Sequence, residues 1–393
     1  MAIARHGSGP SAVARAFASQ VHPVFMLPPV AASLFGAALA GQFDPVVAAV
    51  HGAAMFFAVY TAHVKDGYVD FHGRGEDDDH PLSAFGCRLG LAGAAVGFAA
   101  CLGWLSLVAG PVAAAVTLPT WFVGYFHAPQ LDTNPVTTTL GYPLGVALCI
   151  LGGYAAQAGA VAARPLAFAG VFLVVLAGVK VIDDSTDVAY DSSIGKRTVA
   201  VALGYSRARS LAYALMAFGL FAVVPLSVTG VFPPSAPLAS LVFGVVVGLA
   251  YAKDPETATM LLVRGAYLFL AVLLVAVFFR PLAGAPLPDI TVFGPYTYLA
   301  TEAVFGAAAF ALLARADALR RAAKTVAAVY PVAYVWDWYT LEVGVFEITM
   351  RTGVEVLAIP LEEHLFMVVV PALVLAVHET LHGTDPGPRR SDR

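Results

Sequence analysis

Two clusters of carboxylates carry most of the chemistry legible in this chain. The first reads His63-Val-Lys65-Asp66-Gly-Tyr68-Val-Asp70-Phe-His-Gly-Arg74-Gly-Glu76-Asp77-Asp78-Asp79-His80. Asp66 and Asp70 are four apart, so a helix places them on one face about one turn from each other. Two carboxylates in that arrangement suit a hard divalent cation, and Mg2+ is typically held by one or two carboxylates together with substrate phosphates. Glu76 to Asp79 read equally well as a solvated acidic loop. The second cluster reads Lys180-Val-Ile-Asp183-Asp184-Ser-Thr-Asp187-Val-Ala-Tyr190-Asp191-Ser-Ser-Ile-Gly195-Lys196-Arg197-Thr198. Asp184, Asp187 and Asp191 recur at three and four and predict one helical stripe. Gly195 permits a turn, and Lys196 and Arg197 supply charge that suits phosphate groups.

Two acidic stripes on one membrane face suggest a shared reaction. An allylic diphosphate departs only if its growing negative charge is neutralised. Mg2+ held by Asp66, Asp70, Asp184, Asp187 and Asp191 would do so as a Lewis acid, and Lys65, Arg74, Lys180, Lys196 and Arg197 would add fixed positive charge. The allylic cation left behind needs a dry cavity with aromatic faces. Tyr68, Tyr125, Tyr142 and Tyr190 are the candidates, each also readable as interfacial packing.

A third group lies near the C-terminus. Tyr334-Val-Trp336-Asp337-Trp338-Tyr339 ends one apolar segment, and Ile359-Pro360-Leu-Glu362-Glu363-His-Leu-Phe366 is expected inside the next. Acids in an apolar helix are expensive and default to a functional reading. Asp337, Glu362 and Glu363 are expected at similar depth in adjacent antiparallel spans. There a protonated acid can give a proton to an alkene and its partner can take one back, with Trp336, Trp338 and Phe366 sheltering the cation. The alternative is an acid pair that only holds helices together.

The elements that must position these residues are membrane helices. Of 393 residues, 59% are hydrophobic and only 12% charged, against about 25% charged in a soluble domain. Mean hydropathy is +0.78. The apolar runs are continuous rather than alternating, which excludes barrel strands and leaves an all-α integral membrane fold. About twelve spans are expected, near 24–41, 44–62, 86–108, 111–126, 139–158, 165–182, 209–231, 237–252, 263–280, 295–314, 325–343 and 354–378. The Pro/Gly-rich stretch 283–293 is the expected linker between a nine-span domain (23–282) and a three-span domain (294–380). Residues 1–22 read as a cytoplasmic lead-in without a cleavable signal, and 381–393 as a polar tail. Basic residues concentrate in the loops at 63–85, 183–208 and 315–324 and in the tail, which places both termini in the cytoplasm of a multi-pass cell-membrane protein. Cys87, Cys101 and Cys149 lack metal-site or disulfide spacing, and the net charge of -4 argues against nucleic acid as a partner.

The second motif, Asp184-x-x-Asp187-x-x-x-Asp191-x-x-x-Gly195-x-x-Thr198 followed by Val199-Ala-Val-Ala-Leu-Gly204, closely resembles that of the UbiA superfamily of membrane prenyltransferases. Tyr125-Phe-His-Ala-Pro129 and Gly141-Tyr-Pro-Leu-Gly145 are similar to the same family. The likeness covers about residues 11–280 and implies nine spans, Mg2+, a prenyl diphosphate donor and a lipophilic acceptor. The first motif departs from the family's N-x-x-x-D-x-x-x-D pattern: Asp66 stands at the Asn position, Asp70 matches, and Arg74 replaces the last acid. Residues 294–380 resemble the lycopene cyclase domain of the heterodimeric type, through Trp336-Asp337 and Pro360-Leu-Glu362-Glu363. Such cyclases use two of these domains, so the likeness implies a second cyclase-type subunit, self-association or a degenerate role. Together the two likenesses imply carotenoid biosynthesis, with lycopene as acceptor for elongation, cyclisation or both. The alternatives are a quinone or lipid acceptor, a membrane terpene cyclase without acceptor, and a C-terminal domain that serves only for docking.

Overall fold

The computed structural model describes residues 2–284 and 290–382. Residues 285–289 of the expected linker and 383–393 of the expected tail lie outside the described residues. Two compact units emerge, Met1–Ala283 and Gly284–Arg393.

The first unit contains α1 (Pro10–Ala18), α2 (Pro23–Leu39), α3 (Pro45–Gly67), which continues as a π-helical turn (Tyr68–Arg74), α4 (Ala84–Val108), α5 (Pro111–Phe126), α6 (Pro135–Ala158), α7 (Ala163–Asp183), α8 (Val188–Ser193), α9 (Val199–Leu203), α10 (Tyr205–Val228), α11 (Pro237–Tyr251) and α12 (Pro255–Phe278). Their starts are written in the sequence. Proline opens seven of these helices, at a position whose N–H has no helical partner anyway. Asp44, Asn134 and Asp254 cap α3, α6 and α12 through their side chains, each cap contributing about 1 kcal/mol.

A helix stands at each of the nine spans expected here. The count of independent spans is lower than twelve, however. Eight described helices in the whole chain are long and apolar enough to cross a bilayer alone, and a ninth arises if α1 and α2, bent by 65°, are one broken span. The segment before residue 23 is therefore more than a lead-in: α1 joins α2, and the strand-like bridge Ala4–Leu82 ties it to the loop ahead of α4. Helices α5 and α11 are apolar but short.

Close packing draws α2 against α6. A Cβ at Gly36 would stand 2.0 Å from the Ile150 carbonyl oxygen, and one at Gly153 2.1 Å from that of Ser33, so glycine sets the approach of the two backbones. Phe35, Phe168 and Phe232 fill the space beside this contact, with ring centroids 5.1 Å and 3.9 Å apart. Helix α7 is the most enclosed span, with 61% of its apolar window buried against 17% for α4. Leu107, Phe218, Phe221 and Val228 are instead fully outward, as lipid contact requires and water would not favour.

The single helical stripe expected for Asp184, Asp187 and Asp191 is broken. Helix α7 ends at Asp183 and α8 begins at Val188. Ser185 Oγ donates to the Val181 carbonyl at 2.6 Å and Thr186 Oγ1 to that of Asp183 at 2.8 Å across the break.

The second unit holds a 3-10 turn (Ile290–Tyr296), α13 (Thr297–Arg315), α14 (Leu319–Glu342), β1 (Glu355–Val356), β2 (Ile359–Pro360) and α15 (Leu361–His382). Helix α15 packs on both α13 and α14, and Arg321 on α14 forks onto Glu379 of α15 at 2.7 and 2.8 Å. Helix α14 stands at its expected span, but it carries Arg320, Arg321, Lys324, Asp337 and Glu342 and is not among the eight apolar helices. The twelfth span starts later than expected. Ile359 and Pro360 belong to a hairpin whose two-residue turn, Leu357-Ala358, has φ of 50° and 65°, so the backbone has already reversed before α15 starts.

Candidate active site

In the first unit the two acidic motifs meet. The apolar part of α3 uses about 20 residues to cross a bilayer's hydrocarbon core, so the end of the 30-residue helix Pro45–Arg74 extends past it and carries Asp66 and Asp70 to the membrane face. The π-helical turn widens the spacing there, a device frequent at functional sites. From the other side, α7 delivers Asp184, and the break after it turns Asp187 and Asp191 back. Gly195, at φ +78°, makes the next reversal, and Lys196 N donates to the Asp191 carbonyl at 2.9 Å.

Lys196 lies between the two motifs. Its ammonium interacts with Asp70, Glu76, Asp66 and Asp191 and stands 3.7 Å from Glu76 Oε2. Burial alone would lower its pKa, but these carboxylates outweigh burial and hold it above the ordinary lysine value. The Asp184 and Asp191 carboxyls are raised by burial, against the opposing pull of Lys180 on the first and of Lys196 and Lys180 on the second. Lys180 Nζ reaches Asp184 at 2.6 Å and Asp183 at 2.8 Å.

Arg74, which stands where the resemblance expects an acid, is held by three carboxylates: Asp132 at 2.8 Å, Glu76 at 3.5 Å and Asp70 at 3.7 Å. Asp132, in the loop between α5 and α6, escapes sequence reasoning because it is a lone acid in no motif. Glu76 reads from sequence as loop, yet it faces both Arg74 and Lys196. Asp184 Oδ2 is buried and accepts no hydrogen bond, and Asp70 Oδ1 and Glu76 Oε1, also buried, face Arg74 only at ion-pair distance without a hydrogen bond. Buried carboxylate oxygens without a donor suit a cation, so the residues fit Mg2+.

The other expected substrate contacts divide. Arg197 is exposed and its backbone N–H donates to the Asp132 carbonyl at 3.1 Å. Asp187 is exposed and accepts from Thr186 at 2.9 Å. Lys65 lies 4.8 Å over the Tyr125 ring, which stacks on Trp121. Tyr68 is turned toward Arg88, and Tyr190 is exposed near Glu76 and Lys196. Tyr142 is the one of these tyrosines in a cavity wall. It lines a chamber of about 640 Å³ that also takes in Asp66, Asp70, His63 and His127. With His127 it also lines a smaller chamber of about 190 Å³, where Lys180 and Asp183 sit beside Phe172, Leu176 and Leu270. Two apolar chambers thus share one wall next to the carboxylates.

The second unit has its own acidic site. Asp337 of α14 and Glu363 of α15 face each other closely enough to interact, and Glu302 of α13 also interacts with Glu363. Glu302 is buried, its Oε2 has no hydrogen-bond partner, and it escapes sequence reasoning because it too stands alone. Glu362 points elsewhere: its Oε1 accepts from Thr352 N at 2.6 Å and Thr352 Oγ1 at 2.7 Å. Asp337, Trp336 and Phe366 border an almost wholly apolar groove between α14 and α15. Trp338 is exposed.

Residues 295–381 match the lycopene cyclase family model. Among solved structures, digeranylgeranylglyceryl phosphate synthase is similar at a TM-score of 0.55 and 12% identity, covering 68% of this chain and 98% of that one. A UbiA homologue from Archaeoglobus fulgidus bound to GPP and Mg2+ is similar at 0.52 and 16% identity, covering 68% and 99%. The apo UbiA homologue from Aeropyrum pernix K1 is similar at 0.52 and 16%, covering 65% and 97%. No curated protein sequence matches the chain. The chain has the all-α fold of the UbiA homologues over about two thirds of its length and carries a C-terminal segment that matches the lycopene cyclase family model.

Proposed function

We propose that the first unit is a Mg2+-dependent prenyltransferase that ionises a prenyl diphosphate and passes the prenyl group to a hydrophobic acceptor, lycopene in carotenoid biosynthesis. The observation that carries this reading is the meeting of two acidic motifs around Lys196, beside two apolar chambers with a common wall. Asp66, Asp70, Asp184, Asp187 and Asp191 would hold Mg2+, which supplies Lewis-acid neutralisation of the departing diphosphate. Lys196 binds the diphosphate with fixed positive charge, and Arg197, exposed beside it, closes over the same group. Arg74 keeps Asp70 and Glu76 oriented through Asp132. Tyr142 offers its ring to the allylic cation where the chambers adjoin, and the apolar walls exclude water that would otherwise capture it. The UbiA homologue bound to GPP and Mg2+ supports the donor class and the metal.

A second activity is favoured by the Asp337–Glu363 pair at the rim of an apolar groove. Two carboxyls that face each other in an apolar surrounding favour keeping one proton between them. That proton adds to a terminal alkene of the acceptor, ring closure moves the cation, and the freed carboxylate takes a proton back. Trp336 and Phe366 shelter the charge. The lycopene cyclase match supports this reading, as does the cost of holding carboxyls in an apolar helix.

Expression in a lycopene-making bacterium, with pigments read by mass, tests the first activity. Pigment heavier than lycopene by prenyl units, absent with Asp187→Asn, is the expected result. Unchanged lycopene in the presence of a cyclase-type partner subunit would remove that acceptor. A diphosphate-free product lacking any acceptor would replace transfer with terpene cyclisation.

A further inference from the structure

The loop that follows the first acidic motif holds a second donor cluster, made of nitrogen and sulfur rather than carboxylates. His72 in the π-helical turn, His80 in the loop and Cys87 in the first turn of α4 each bring one ligand atom within 4.8 Å of the others. Both rings converge on one buried carbonyl. His72 Nε2 lies 3.2 Å and His80 Nδ1 3.1 Å from Leu82 O, and Cys87 Sγ lies 3.9 Å from His80 Nδ1.

Hydrogen bonding alone leaves this arrangement mismatched. Leu82 N–H also points at His80 Nδ1, at 3.2 Å. If Nδ1 accepts from that N–H, its lone pair faces the lone pairs of Leu82 O. If Nδ1 instead carries a proton for Leu82 O, the buried Leu82 N–H loses its acceptor. A cation bound by Nδ1 and Leu82 O removes the repulsion between their lone pairs, at the cost of the long Leu82 N–H contact. Zinc bonded to nitrogen at about 2.0 Å and sulfur at about 2.3 Å spaces tetrahedral donors about 3.3 to 3.6 Å apart, and the separations of 3.1, 3.2 and 3.9 Å bracket that spacing.

The fold also seats the rings. A Cβ at Gly67 would stand 2.5 Å from His80 Nε2, so glycine there admits the imidazole. Leu82, Cys87 and His80 are buried, at 0%, 0% and 5% exposure, which keeps the thiol from solvent. A thiolate with two imidazoles selects a borderline-soft ion over Mg2+, which prefers oxygen.

We infer that His72, His80, Cys87 and the Leu82 carbonyl form a structural zinc site. The metal clips the turn that ends the first acidic motif to the start of α4, and so fixes the loop that delivers Glu76 to Arg74 and Lys196. This site goes beyond the proposed prenyl transfer and stands or falls separately from it.

The test uses the full chain, purified in detergent without a histidine tag and dialysed against a mild chelator. One zinc per chain is expected to remain, and cobalt exchanged for it gives the visible bands of a tetrahedral ion and a near-ultraviolet thiolate-to-cobalt band. Cys87→Ser loses that band and the retained zinc. The Cys101→Ser, Cys149→Ser double variant, in which Cys87 is the sole thiol, keeps both, which decides the matter even if Cys87→Ser fails to fold. Asp187→Asn retains zinc whether or not it transfers prenyl groups. Loss of all zinc on dialysis, a cobalt spectrum without the thiolate band, or a band that survives Cys87→Ser or vanishes in the double variant overturns the inference.

Discussion

Among the described residues, Lys196 is the one lysine or arginine found to face carboxylates of both acidic motifs, and its role separates cleanly from theirs. If its ammonium neutralises a departing diphosphate, Lys196→Met lowers kcat/KM for prenyl transfer about 100-fold, the usual loss on removing a preorganised charge partner. The same substitution takes a positive charge away from the metal-binding carboxylates, so Mg2+ binds no more weakly. Steady-state kinetics over a Mg2+ series read both quantities, and a variant rescued fully by more Mg2+ would make Lys196 a metal-site organiser instead. Asp184 and Asp191 lead to a pH dependence. Burial raises both carboxyls, so each keeps its proton to a higher pH than a free carboxyl, which titrates near about 4. Mg2+ must displace those protons. The Mg2+ concentration for half-maximal activity is therefore expected to climb as pH falls, starting above the ordinary carboxylate range. A requirement flat down to that range would mean that neither acid holds the metal.

Single turns decide what the helices can present. The pair Leu357-Ala358 reverses the chain with two non-glycine residues at positive φ, each costing about 1–2 kcal/mol relative to a residue suited to that region. Replacing the pair by Asn-Gly, which favours such two-residue hairpins, is expected to raise the Tm of the detergent-solubilised protein, measured by thermal unfolding. An unchanged or lower Tm would mean that the side chains of Leu357 and Ala358 contribute more than the backbone loses. Behind this turn, Glu362 and Glu363 serve different partners although adjacent in sequence. Glu363→Gln is expected to abolish ring closure with little loss of stability. Glu362→Gln, which weakens the hold on Thr352, is expected to lower Tm with a smaller loss of product. Equal effects of the two on cyclised pigment would overturn the distinction. The same contrast marks how far sequence reached. Long apolar runs announced a helix at all twelve expected places, because hydropathy and initial prolines are local signals. The break between α7 and α8 and the hairpin before α15 depend on local backbone turns that no periodicity records. The motif carboxylates stand out in the sequence as clusters, though the single helical stripe read from the spacing of the second is broken, whereas Asp132 and Glu302 meet their neighbours only through folding.

At the scale of the molecule, two units with separate acidic chemistry share one chain, and that arrangement has a kinetic consequence. In the proposed scheme the first unit's reaction needs metal-held carboxylates and a diphosphate, and the second unit's needs a protonated carboxyl beside an apolar groove and neither of those. If the activities are independent, a chain defective in one can supply the product that another chain, defective in the other, consumes, because a hydrophobic intermediate diffuses within the bilayer. Lycopene-making cells that carry Asp187→Asn and Glu363→Gln full-length chains together are thus expected to form elongated, cyclised pigment, though neither variant alone does so. The yield against the unmutated chain measures how far the fusion hands its intermediate on directly. Near-equal yield means free exchange through the lipid, and a yield several-fold lower means that the covalent joining of the units accelerates passage. Failure to complement, with both variants present in the membrane and each retaining its unmutated activity, would rule out free exchange and mean that the second unit acts only on product made by its own chain. Cyclised pigment from the Glu363→Gln chain alone is the outcome the docking alternative requires, so the experiment separates a second catalyst from an accessory module without dividing the chain.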